Sequence, residues 1–221
     1  MLLNAMDLVG RFQFSGIMSD NTGNTRVAQK LVLQAVNTCI PMSDVCHHMS
    51  LLCKDLTRLD MFKDMIGHLR LGLEGIGKTW FATICVAAIS LQCCLPALYE
   101  LLGAGIVKFG PKKVLLTGLF KSGSICGMNF EINLNWFIQV EGHIAKAIVC
   151  LESSQTNPAD VYMYWIPICG CIKQVLNSNK NGFTMDNIRQ IYEIINTCFC
   201  EQLRDGPADC YLVAFSLEPC M

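Results

Sequence analysis

Phe12-Gln-Phe-Ser-Gly-Ile-Met18 runs directly into Ser19-Asp20-Asn21-Thr22-Gly23. Aromatic and β-branched residues in partial alternation predict a strand, and the polar cluster behind them predicts a turn with an Asx or Ser/Thr cap. Asn24 to Asn37 then carries Val27, Ala28, Leu31, Val32 and Ala35 at helical spacing. A strand feeding a helix is an α/β element. The rest of the chain reads as helices, so the expected fold is mainly α with a small α/β element at the front.

Further along, Pro41 is expected to break the chain, and Asp44-Val45-Cys46 is at most a short strand. From His47 onward, Met49, Leu52, Leu56, Leu59, Phe62 and Ile66 recur every three or four residues, which predicts one amphipathic helix. Gly67, Gly72, Gly75 and Gly77 predict a loop over 67–78. A helix follows, with Gly103 as its C-terminal cap. Residues 103–127 are assigned no element. Met128 to Trp136 alternates as a strand would, while Phe130, Leu134, Phe137, Ile138 and Ile144 fit a helical stripe to Leu151, and both readings stand. Asn157-Pro158-Ala159-Asp160 is a helix start: Asn157 caps, Pro158 needs no N–H in the first turn, and Asp160 complements the dipole. Pro167 is expected to kink that helix. Thr184 opens another, with Ile188, Ile191, Ile195, Cys198, Phe199 and Leu203 on one side and Gly206-Pro207 as its stop.

The chain has 221 residues, with 17 basic side chains against 18 acidic ones, and charged residues make up only 16%. That balance offers no electrostatic case for a nucleic-acid surface. A hydrophobic content of 52% excludes intrinsic disorder. The 14 cysteines raise the question of a disulfide scaffold. Met1 to Val9 has no basic flank and contains Asp7, so it is not a secretory signal. The spacings are irregular and include no CxxC pair. The expectation is therefore reduced, intracellular thiols buried as small apolar side chains, with no disulfide framework. Thr79 to Tyr99 lacks any charge and is long enough to cross a bilayer. It contains Thr83, Ser90, Gln92 and Pro96, however, and a buried helix of a soluble protein is the simpler expectation, with no membrane partner favoured.

Three groups of residues could carry chemistry. Gly72-Leu-Glu-Gly-Ile-Gly77-Lys78-Thr79 matches the phosphate-loop pattern, in which Gly77 and its neighbours would cradle phosphate, Lys78 would meet its oxygens and Thr79 would hold Mg²⁺. Such a loop must follow a buried strand, and His68 and Arg70 stand where apolar residues belong. A glycine loop entering a helix is the plainer reading, and nucleotide binding is kept as the alternative. Cys46-His47-His48 with Cys53 offers soft ligands, but Cys46 and Cys53 would lie about 10 Å apart along one helix. Asp20 ends the expected strand, where α/β folds place ligands. A lone Asp there is usually a turn cap, and metal chemistry needs a second carboxylate. Asp7, Asp44, Asp55 and Glu152 are available, and spacing nominates none of them.

Several segments together resemble the hAT superfamily of transposases, especially the transposase-like proteins of fungal genomes. Ser19-Asp-Asn-Thr-Gly-Asn-Thr-Arg26 is similar to the family's Asp-Asn-x-x-Asn segment, with Asn21 and Asn24 in the Asn places. Asp44 to Asp55 resembles its Cys-x-x-His-x-x-x-Leu block, with His47 at the His place and Asp44 replacing Cys. Ile76-Gly-Lys-Thr-Trp80-Phe81 resembles its Thr-Arg-Trp/Phe block, with Trp80 replacing Arg. Ile144 to Tyr162 and Tyr211 to Pro219 resemble later segments in the same order.

The resemblance implies a partial ribonuclease H-like core over residues 1–66, including the first helix after it, and an incomplete α-helical insertion region over 67–221. It makes Asp20 the second of three acids that would hold two Mg²⁺ or Mn²⁺ ions for cutting and joining DNA. The first acid would lie upstream of residue 1 and the third downstream of residue 221. The implied molecule is a nuclear, transposon-derived fragment with no cofactor and no nuclease activity, and DNA is the partner of its ancestor. Cys198 and Cys220 also stand where Arg is expected, a change that a single C-to-T transition in a CGN codon produces.

Overall fold

The computed structural model describes residues 2–20, 22–72, 81–110, 114–121, 123–153, 155–178, 182–204 and 208–218. The chain opens with helix α1 (Leu2–Val9) and a 3-10 turn (Arg11–Gln13), then enters strand β1 (Gly16–Ser19). Helix α2 (Gly23–Ala35) leads to strand β2 (Ile40–Ser43), which pairs in parallel with β1, from Gly16 opposite Ile40 to Ser19 opposite Ser43. Gln29 on α2 ties the unit together, its amide donating to the carbonyls of Met42 (3.1 Å) and Ile17 (3.4 Å). The first strand is shorter than expected because the 3-10 turn takes its front half. Pro41 does not break the chain. It sits inside β2, where its missing N–H faces away from β1 and costs no ladder bond.

Asp44 is no strand residue either: it caps α3 (Val45–Leu56), its carboxylate accepting the His47 N–H at 3.2 Å. The stripe read as one helix is two, α3 and α4 (Asp60–Gly72), separated by a turn at 57–59. The Thr57 hydroxyl donates to the Lys54 carbonyl at 2.7 Å, competing with helix continuation, and Leu56, Leu59 and Phe62 all stay buried across the turn. Helix α4 includes Gly67 and Gly72, where a loop was expected to begin. The rest of that loop, with Gly77, Lys78, Thr79 and Trp80, lies outside the described residues.

The later helices are α5 (Phe81–Gly103), α6 (Val114–Leu119), α7 (Ile125–Leu151), α8 (Pro158–Leu176), α9 (Met185–Arg204) and α10 (Ala208–Ser216). Residues 128–136 are helical. Phe130, Leu134, Phe137, Val140, Ile144 and Ile148 form one buried stripe, while Met128 and Ile132, which a strand would place beside Phe130, are exposed. Ser124 starts α7 by accepting the Gly127 N–H at 2.9 Å. The start of α8 is as expected and is a full capping box: Asn157 accepts the Ala159 N–H at 2.7 Å, and Asp160 accepts the Asn157 N–H at 2.8 Å. Helix α8 runs through Pro167, which faces solvent, and its stripe Val161, Trp165, Ile168, Ile172, Leu176 stays buried. Thr184 caps α9 through the Asn187 N–H at 3.2 Å, and the expected stop at Gly206-Pro207 lies outside the described residues. Helix α10 was not foreseen.

Two cores result. A small one joins Met6, Val32, Val36 and Cys39 under α1 and α2. The large one begins at Val45 and runs through α3 to α10, so packing groups α3 and α4 with the later helices. The expectation of a buried uncharged helix is corrected here. Helix α5 buries Ile84, Cys85, Ala88 and Leu95 against the bundle, but Val86, Ile89 and Leu101 are exposed, and only 22% of its most apolar window is buried. Among the described residues its neighbours in the bundle are chiefly α7 and α3.

Asn157→Ala removes the side-chain half of the capping box, leaving its backbone N–H to donate to Asp160, and is expected to lower stability by about 1 kcal/mol. Urea unfolding, with an unchanged slope against denaturant, measures it.

Candidate functional site

The carboxyl ends of the two parallel strands put Asp20 and Asp44 side by side, because the Asp44 N–H donates to the Ser19 carbonyl at 2.9 Å. Each has local work to do. The half-buried Asp20 sits in a turn in which the Thr22 hydroxyl reaches its carboxylate at 3.4 Å and the Thr25 and Ser19 hydroxyls bond its carbonyl. Asp44 caps α3. These bonds orient both side chains, and among the described residues no ion pair joins either carboxylate to a basic side chain.

Beneath the strand ends, on the side of the sheet away from Ile17, lies a cleft of about 450 Å³. Met18 and Met42 line its sheet side, Asp44 and Cys46 its α3 side, and Glu152 with Tyr211 its far wall. Burial, reinforced by the Asp44 and Glu152 carboxylates, pushes the Cys46 thiol up to about 11. It therefore stays protonated at neutral pH, a weak nucleophile and a poor metal ligand. Its Sγ is directed to the Ile148 carbonyl of α7 at 3.9 Å. Cys53, two turns along α3, faces the bundle interior rather than the cleft. His47 is half-buried and His48 is buried, their rings 6.3 Å apart and perpendicular. The structure thus separates the Cys46, His47, His48 and Cys53 set, and among the described residues no three His, Cys, Asp or Glu side chains converge on a point that could hold a metal ion.

Within the bundle, the structure places a carboxyl that sequence reasoning missed. Glu141 on α7 is fully buried, and neither of its oxygens has a hydrogen-bond partner of normal geometry. Cys53 of α3 and Cys85 of α5 lie close enough for the carboxyl to perturb both thiols. Burial pushes Glu141 up to about 8, and the Cys53 thiol, a weak S–H donor, offsets little of that. The carboxyl is therefore mostly protonated at neutral pH. The signal was present in the sequence: Leu134, Phe137, Glu141, Ile144 and Ile148 are spaced three or four apart, so Glu141 occupies a core position of the stripe.

Of the residues singled out from sequence, Asp20 and Asp44 come together, and His47 is held next to Asp44 by its backbone. Asn24 lies exposed in the first turn of α2, and Phe81 opens α5. Asn21, Gly77, Lys78, Thr79 and Trp80 lie outside the described residues. Among those described, thirteen cysteines are free thiols, with Cys39, Cys53, Cys85 and Cys198 buried. No protein-family model matches the chain, and no curated protein or solved structure matches it.

Glu141 binds its proton more tightly folded than unfolded, so its contribution to stability is full below about pH 4.5 and is lost as pH rises through about 8. Glu141→Met removes both the titration and the unpaired carboxyl. The variant is expected to gain about 2 kcal/mol at pH 8 and little at pH 4. Denaturant midpoints measured across that range test this, and a gain that does not grow with pH would contradict the assignment.

Proposed function

We propose that the chain is a transposon-derived fragment of hAT transposase type, with a partial ribonuclease H-like core and much of a helical insertion, and without nuclease activity of its own. The observation that carries this reading is Asp20 at the carboxyl end of the first strand of a parallel β–α–β unit, with a long helical region following. That is where the resemblance puts the second acid of the family's set. Cutting and joining DNA with two divalent ions needs a complete set of carboxylates, since one Asp cannot hold both ions against the attacking and leaving oxygens. The neighbouring Asp44 is engaged as a helix cap.

Cys198 adds support. It stands where the resembled pattern has Arg, and after burial the carboxylates of Glu201 and Asp55 are what push its thiol up, to about 12. A single C-to-T transition in a CGN codon would turn that Arg into Cys. On this reading DNA was the partner of the ancestor, and a neutral chain depleted in Arg retains little of the charge that phosphate contacts require.

With Mg²⁺ or Mn²⁺ the purified chain is expected neither to cleave nor to join transposon-end DNA, and Asp20→Ala is expected to change nothing. Metal-dependent cleavage that disappears in Asp20→Ala would overturn the reading.

One observation favours a second reading, contact with a bilayer through α5. Thr83–Gly103 has a mean hydropathy of 1.7 and is mostly unburied, and 23 helical residues span about 35 Å, enough for a hydrocarbon core of ~30 Å. Alkaline carbonate extraction of membranes from expressing cells separates the two. The transposon reading expects the chain in the supernatant, and retention in the membrane pellet supports the second.

A further inference from the structure

The small sheet is closed on one edge and open on the other. In its register, the ladder uses the N–H groups of Ile17, Ser19, Ile40, Met42 and Asp44, the bonds from Ile40 to Ser15 and from Asp44 to Ser19 each measuring 2.9 Å. Gly16 and Met18 therefore turn both backbone groups outward on the β1 side, and Pro41 and Ser43 do so on the β2 side. The β2 edge is blunted: Pro41 has no N–H, and Ser43 is buried with its carbonyl accepting the Tyr211 hydroxyl at 3.1 Å. Nothing equivalent among the described residues guards β1. Among the described residues no hydrogen bond reaches the outward N–H or C=O of Gly16 or Met18. Met18 is 61% exposed, and Phe12, just ahead of the strand, 82%.

We propose that the outer edge of β1 pairs with β1 of a second copy of this chain, antiparallel about a two-fold axis at Ile17. In that arrangement Gly16 lies opposite the partner's Met18, and Met18 opposite the partner's Gly16. Each facing pair exchanges N–H and C=O, so all the outward groups of Gly16 and Met18 on both strands are used, and none is left over. The edge is thus complementary to itself, which is what a two-fold interface requires, and the contact closes at two copies. The two-stranded sheet, marginal alone, becomes four strands in the order β2, β1, β1 of the partner, β2 of the partner.

Gly16 has no side chain to obstruct the approach. The pairing stands apart from the transposon reading, because it follows from the ladder whatever the ancestry.

The test is the oligomeric state of the full chain by sedimentation equilibrium, with Met18→Pro as the variant. Proline at 18 removes an outward N–H and no ladder bond, as Pro41 already does on the other edge. The expected result is a dimer for the unchanged chain and a monomer for Met18→Pro with the same circular dichroism. Amide hydrogen exchange in the unchanged chain gives a readout independent of the variant. The Gly16 and Met18 amides are expected to exchange at least about tenfold more slowly in the dimer than on dilution to monomer. A chain that stays monomeric overturns the proposal. So does a dimer whose Gly16 and Met18 amides exchange freely.

Discussion

The burial of α7 on more than one side is the constraint on which the helical body depends. Its stripe from Phe130 to Leu151 is closed to solvent, and α3, α4, α5, α6 and α8 all pack on it. A helix surrounded in this way cannot carry charge on its inward positions without cost. Glu141 breaks that rule. It is tolerated because the carboxyl can hold its proton, exchanging a charge penalty for the smaller one of an under-bonded neutral group. The neighbouring thiols are held protonated by the same apolar surroundings.

The front unit follows a different economy. Four residues of each strand and one connecting helix bury only a small cluster, and the unit leans on the body at a few points. Asp44 is the joint, bonded backward to β1 through its N–H and forward to α3 through its carboxylate. Tyr211 braces the joint from the far end of the chain, linking α10 to Ser43 across 168 residues of sequence. The cleft beneath the strand ends exists because these contacts hold the sheet off the bundle rather than flat against it. Its protonated thiol and cap-bound Asp44 give it little reactive chemistry.

Much of the candidate site was legible at the level of single elements. Asp20 after a strand and before a cap-forming Thr-rich turn needed only local patterning, and the Asn157 box needed only four consecutive residues. The pairing of Asp20 with Asp44 was not legible, because it depends on strand register between segments separated by a helix. Glu141 was legible in its spacing, yet a lone acid in an apolar stripe is easily taken for an exposed flank until its neighbours are known. The strand-or-helix ambiguity at 128–136 had the same origin: alternation and helical spacing coincide over nine residues, and only burial of Phe130 with exposure of Met128 and Ile132 separates them.

By itself the sequence determined the mainly helical character, the position of the small α/β element and the caps at Asn157 and Thr184, because these follow from periodicities and hydrogen bonds within a few residues. Only the tertiary structure decided which apolar faces find partners. Thr79 to Tyr99 reads as a core helix by composition, yet the bundle covers one side of α5 and leaves Val86 and Ile89 to solvent. Pro41 reads as a breaker, yet its ring sits harmlessly on a sheet edge, because whether a missing N–H matters depends on where the neighbouring strand lies. Burial and strand register are properties of segments far apart in the chain, and no local pattern encodes them.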